Sequence, residues 1–106
     1  MQDSDWESIL KISSATLLTV LCGSFFFFIF ESEKNQFVET FFDAVWWSVV
    51  TLTSLGYGDI YPVTTEGRIV GMFLMFFGII LIGVIAGSVT RHYFEVRNQK
   101  RVKKEL

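Results

Sequence analysis

From Ile12 to Phe30 the chain runs 19 residues without a formal charge, and from Ile69 to Thr90 it does so for 22. At about 1.5 Å of rise per residue, a helix over either block is long enough to cross the roughly 30 Å hydrocarbon core of a bilayer. In lipid every backbone N–H and C=O must find its partner inside the segment, which leaves a helix as the form of a lone span. The first block is apolar all round, unlike the one-sided stripe of a helix on a soluble protein. Of the 106 residues 51% are hydrophobic, and these fall in blocks rather than being scattered. The fold expected is therefore an all-α membrane protein, one domain over 1–106, with an outer helix over about 9–30 and an inner helix over about 67–94.

Charge orients the two spans. After Thr90 the chain carries Arg91, Arg97, Lys100, Arg101, Lys103 and Lys104 against only Glu95 and Glu105. The stretch 31–66 holds six acids and one lysine. An excess of Lys and Arg marks the cytoplasmic side, so the basic tail over 95–106 is expected inside, the central loop outside and the N-terminus inside as well. The N-terminus is acidic at Asp3, Asp5 and Glu7 and lacks the features of a cleaved signal peptide, so the first span is expected to be retained. A net charge of -2, with no basic stripe inside a folded region, gives no reason to expect a nucleic-acid partner. Cys22 is the only cysteine, which excludes an intrachain disulfide; inside an apolar span it reads as a small buried hydrophobe.

The stretch Phe37 to Thr51 is too short to span and too aromatic for a surface loop. It suits a re-entrant helix, expected over about 39–52, whose C-terminal end points partial negative charge at the residues just beyond it. Those residues are Thr53-Ser54-Leu55-Gly56-Tyr57-Gly58-Asp59. Glycines at 56 and 58 let the backbone visit positive φ without a Cβ clash. Alternating such positions with ordinary ones turns successive carbonyls to one side, and a column of carbonyls replaces the water shell of a bare cation. Pro62 and a turn at Thr64-Thr65-Glu66-Gly67 are expected to close the loop. Gly71, Gly78, Gly83 and Gly87 allow close helix packing in the second span.

This order of span, aromatic re-entrant helix, glycine motif and span resembles the pore module of potassium channels. The two-span prokaryotic members are most similar, through Trp46-Trp47-Ser48, Tyr57-Gly58-Asp59, Tyr61-Pro62-Val63-Thr64 and Gly67-Arg68. The resemblance covers roughly residues 12–97. It implies a homotetramer in the membrane, with four-fold symmetry and four filter strands about one axis. K+ is then the permeant ion, with no further cofactor and no enzymatic role. The filter residues are Ser54, Leu55, Gly56, Tyr57 and Gly58: carbonyls of the first four line the ion sites and the Ser54 hydroxyl adds the innermost ligands. The same resemblance implies that Tyr57 packs outward against pore-helix aromatics such as Trp46 and Trp47, and that Asp59 at the outer mouth accepts from the Trp46 indole N–H. Gly78 falls at the gating hinge, with Ile82 and Ala86 facing the cavity and the gate near residues 86–90.

Three departures from the family pattern bear on function. Ser54 stands where threonine is usual, keeping the hydroxyl but losing the methyl that stiffens χ1. Leu55 stands where valine or isoleucine is usual. Val50 occupies a position where some relatives carry a glutamate paired with the outer aspartate, which implies less filter inactivation here. Selectivity for K+ is expected to survive the changes at Ser54 and Leu55, since neither removes a carbonyl.

The alternatives are a weakly selective cation channel, the pore module of a larger ligand-gated channel, a potassium transporter subunit, and an accessory protein with two spans and no pore. The transporter carries four such repeats in one chain, and the accessory protein gives no reason for the glycine motif. No arginine-rich sensor helix or ligand-binding domain is apparent in this sequence. His92, the only histidine, reads as a helix-end or surface residue.

Overall fold

A computed structural model describes residues 3–106, with side chains from Trp6 onward; Met1, Gln2 and the side chains of Asp3 and Asp5, part of the acidic N-terminal stretch, lie outside the described residues. It contains three helices: α1 over Asp3–Glu31, α2 over Phe41–Leu52 and α3 over Thr65–Glu105. Hydroxyls within the apolar stretches bond to their own helix. Thr16, Thr19 and Thr90 donate to the carbonyls of Ile12, Ala15 and Ala86, four residues back, at 2.7–2.8 Å. Such back-bonding keeps a hydroxyl satisfied where no water is available.

Helix α2 starts at Phe41 because Thr40 caps it. The Thr40 hydroxyl accepts from the Asp43 N–H, and the Asp43 carboxylate accepts from the N–H groups of Thr40 and Glu39, both at 3.0 Å. This reciprocal box satisfies donors that the first turn of a helix leaves without partners. Thr64-Thr65-Glu66-Gly67, expected as a turn, is instead the cap and first turn of α3: the Thr64 hydroxyl accepts from the Gly67 N–H at 2.9 Å. Helix α3 then runs unbroken through the basic tail to Glu105, beyond the 67–94 expected for it. Its 41 residues extend about 60 Å, roughly twice the hydrocarbon thickness.

The two long helices run antiparallel, as the pairing of Glu31 with Gly67 and of Gly23 with Leu74 requires. Helix α2 wedges between the C-terminal half of α1 and the N-terminal half of α3. The Trp47 and Phe27 rings stack with centroids 3.6 Å apart, and Trp47 also lies against Gly71. The buried Ser24 hydroxyl donates to the Val20 carbonyl at 2.6 Å and shares a 3.1 Å hydrogen bond with Ser48. Val20, Phe27, Val38, Ala44, Trp47, Leu52 and Leu74 form the core. The molecule is long and thin, 67 × 23 × 18 Å. Cys22 is exposed on the face of α1, correcting its expected burial. Inside an apolar span, the helix period rather than residue type decides which side chains face outward.

Candidate functional site

The chain leaves α2 in a way set by the helix's own last carbonyls. Thr53 N–H donates to the Val49 carbonyl at 3.0 Å, and its hydroxyl reaches the same oxygen at 2.7 Å. Ser54 N–H donates to Thr51 at 3.2 Å. Leu55 and Gly56 N–H both donate to the Val50 carbonyl, at 3.1 and 3.3 Å. Val50 itself is buried, so its backbone is the fixed post on which the next strand hangs.

From that post the backbone alternates. Ser54, Gly56 and Gly58 have φ of +64°, +58° and +84°, whereas Leu55 and Tyr57 remain at negative φ. Two of these positions were legible as glycines. The third was not, because serine in the left-handed region costs roughly 1–2 kcal/mol and nothing in its sequence context announces it. Among the described residues, no carbonyl of Ser54, Leu55, Gly56 or Tyr57 accepts a hydrogen bond. A run of carbonyls without partners is costly in a dry environment and suited to a cation that takes them as ligands.

Behind the strand, Trp46 provides two contacts. Its ring stacks on Tyr57 with centroids 5.6 Å apart and planes 10° from parallel. Its indole N–H donates to Asp59 Oδ2 at 2.8 Å. Trp46, Tyr57 and Asp59 therefore stand together, whereas Trp47, one residue on, faces the opposite way into the core. Leu55 and Tyr57 are 59% and 64% exposed in a single chain. On α3, Gly78 lies against the end of α2: the space a Cβ would need is taken by the Leu52 carbonyl. Gly78 is thus in close contact where α3 crosses the root of the glycine strand. Ile82 and Ala86 are exposed below it. So are Gly83 and Gly87, with nothing near the place of a Cβ.

Sequence reasoning missed Glu31. This residue ends α1 fully buried, and its carboxylate collects five hydrogen bonds from four donors. Val63 N–H reaches both oxygens at 3.1 and 3.0 Å, Thr64 N–H donates at 2.9 Å, the Thr64 hydroxyl at 2.6 Å and Asn35 Nδ2 at 2.9 Å. Asn35 also donates to the Tyr61 carbonyl at 2.7 Å. The carboxylate fills the space that a Cβ on residue 67 would occupy, which is why glycine stands there. One side chain thus ties the end of α1, the descending loop and the cap of α3 together. An acid with Asn four residues on was visible in the sequence; its backbone partners, 32 and 33 residues away, were not.

Residues 15–95 match the ion channel family. The chain is 32% identical over 106 residues to the calcium-gated potassium channel TvoK of Thermoplasma volcanium, covering 99% of this chain and 30% of that protein. It is 39% identical over 83 residues to a voltage-gated potassium channel of Aeropyrum pernix, covering 77% of this chain and 28% of the relative. It therefore spans less than a third of the length of either. Among solved structures, the pore domain of a voltage-gated K+ channel in a closed state in lipid membranes superposes with a TM-score of 0.70 at 35% identity, covering 81% of this chain and 95% of that one. A pore module in a tetragonal crystal form gives 0.68 at 32% identity, covering 81% and 90%.

Proposed function

This chain belongs to the ion channel family, as a two-span pore module of the potassium-channel type, and we propose that four copies around one axis conduct K+ passively across the membrane. The observation that carries the reading is the alternation of φ at Ser54, Gly56 and Gly58, along a strand whose carbonyls from Ser54 to Tyr57 accept no hydrogen bond among the described residues. Four such strands facing an axis give rings of oxygens in which a dehydrated K+ exchanges water for carbonyls. The carbonyls of Ser54, Leu55, Gly56 and Tyr57 line those rings, and the Ser54 hydroxyl faces the cavity. The C-terminal end of α2 adds its partial negative charge behind them. Asp59, held by Trp46, concentrates cations at the outer mouth.

Four copies are what this geometry calls for. A single chain leaves Leu55 and Tyr57 exposed and the strand's carbonyls without partners, an arrangement that hydrocarbon does not tolerate. Closed symmetry covers the strand on every side. The basic end of α3 and the N-terminus face the cytoplasm, given the charge bias of residues 91–104. Ile82 and Ala86 line the inner cavity, and the four α3 helices narrow it near residues 86–90. Bending at Gly78 would move each inner half relative to α2. The whole is one domain whose filter spans residues 54–58.

The test is the reversal potential of the purified protein in planar bilayers with K+ on one side and Na+ on the other. A value close to the K+ equilibrium potential supports the reading and shows that Ser54 and Leu55 are tolerated. A robust current reversing near zero points to a pore that does not discriminate, and the absence of current rejects conduction by this module.

A further inference from the structure

Between α1 and α3 lies an open groove of about 360 Å³, walled by Leu18, Cys22 and Phe26 on one side and Phe73, Leu74 and Phe77 on the other. Gly23 makes its floor, since the Leu74 side chain occupies the space that a Cβ there would need. The groove offers a guest almost nothing polar. The Thr19 hydroxyl at its edge is already spent on the Ala15 carbonyl at 2.7 Å. Water needs two to four polar partners to stay in such a place, and an empty notch in hydrocarbon forfeits dispersion contacts along all its walls. The guest must therefore be apolar.

The direction in which the groove opens selects that guest. At about 100° per residue, the side of α3 bearing Phe73, Leu74 and Phe77 lies roughly 160° around the helix from Ile79, Ile82 and Ala86. Resting on the proposed tetramer, in which Ile82 and Ala86 face the axis, the groove opens away from it, onto the bilayer. We infer that it holds an acyl chain of a phospholipid from the cytoplasmic leaflet, with the phosphate at Lys11. Lys11, Leu18, Cys22 and Phe26 share one side of α1 at spacings of seven, four and four. Lys11 is exposed about 16 Å below Cys22, against the roughly 15 Å depth of one leaflet. Its long stem carries the ammonium to the interface while the chain rises into the groove. Glu7, one turn nearer the water on the same side, favours a headgroup whose phosphate is joined to an ammonium over a wholly anionic one.

Native mass spectrometry tests this on the full chain, taken gently in detergent from vesicles of equal phosphatidylethanolamine and phosphatidylglycerol. The expected spectrum is a four-copy assembly retaining up to four phospholipids, mostly phosphatidylethanolamine. Cys22→Phe fills the groove from an exposed position and should reduce retention at least five-fold with four copies intact; Lys11→Gln should reduce it two- to three-fold. Undiminished retention in Cys22→Phe, or a retained pool that is mostly phosphatidylglycerol, overturns the assignment. In the unaltered chain, a phosphatidylethanolamine carrying a mid-chain diazirine should photolabel residues 18–26 and 70–77. Even labelling of Leu17, Leu21, Phe25 and the groove residues would mean an ordinary lipid annulus and would also overturn it. K+ flux measured from the same vesicles separates the two proposals. Flux and four copies without bound lipid reject the groove alone, whereas no flux and another copy number reject the tetrameric pore on which it rests.

Discussion

The half of this molecule around the glycine strand and the half beyond Gly78, its proposed outer and inner halves, are built on different terms. Around the glycine strand, α1, α2 and α3 meet in a packed core with Phe27 stacked on Trp47, and every buried side-chain polar atom has a partner among the described residues. Below Gly78 no residue of α3 is buried. The outer half is finished within one chain, apart from the strand itself. The inner half leaves apolar side chains such as Ile79, Ile82 and Val89 exposed, for other copies to cover in the proposed assembly. Burial within one chain is thus concentrated around the proposed filter and is absent from α3 beyond Gly78.

The strongest way to break this contrast is to remove the outer clamp. Glu31→Ala leaves the N–H groups of Val63 and Thr64 and the Asn35 amide without their acceptor in a buried site, at a cost of at least about 3 kcal/mol per chain. The proposed tetramer should melt tens of degrees lower on a denaturing gel, and flux should vanish. Unchanged melting would mean that the outer half is not the rigid one.

Glycine replacements probe the boundary next. Gly78→Ala drives a methyl at the Leu52 backbone carbonyl and should cost roughly 1–3 kcal/mol, seen as lower thermal stability. Gly83→Ala and Gly87→Ala meet nothing within one chain and should gain up to about 1 kcal/mol from helix propensity. If they destabilise instead, neighbouring copies pack tightly there, and the inner half is less free than a single chain implies. If Gly78→Ala shifts open probability at unchanged stability, Gly78 acts as a hinge rather than as a contact.

A smaller effect is expected at the mouth. Trp46→Phe keeps an aromatic on Tyr57 and removes the hydrogen bond to Asp59, costing about 1–2 kcal/mol. Thermal protection by K+ should weaken while the reversal potential barely moves. Least of all is the cap of α2. Hydrogen bonds from the backbone of Thr40 and Glu39 hold the Asp43 carboxyl below its ordinary 3.8. A depressed value means a contribution present above pH 3.8 and lost as pH falls through the folded value. Asp43→Asn should flatten that acid limb of a stability–pH curve and leave the neutral region nearly unchanged.

How much was legible in the sequence depends on the range of each interaction. The spans, the short helix and the positive φ at Gly56 and Gly58 come from local pattern and residue type. The Trp46–Asp59 contact came through resemblance. Glu31 was hidden because its partners are mostly backbone groups, which leave no trace in residue identity. Ser54 was hidden because its conformation is imposed by the strand around it. Cys22 was misplaced because apolar character stops reporting burial once the solvent is itself a hydrocarbon. Gly78 read as a point of flexibility, and the structure adds a contact that only the α2–α3 crossing reveals.

Helix α3 is one continuous rod from its Thr64 cap to Glu105, and it rests on α2 at Gly78. That makes it a lever with unequal arms, about 40 Å on the basic side of the pivot and about 20 Å on the side that carries the clamp. To the extent that the rod stays stiff, a sideways displacement at the far tip reaches Thr64 at half its size, with twice the force. In that stiff limit, the opposite of bending at Gly78, a pull on the tail becomes a small, strong push on the Thr64–Glu31 clamp, close to the strand and far from where the pull was applied.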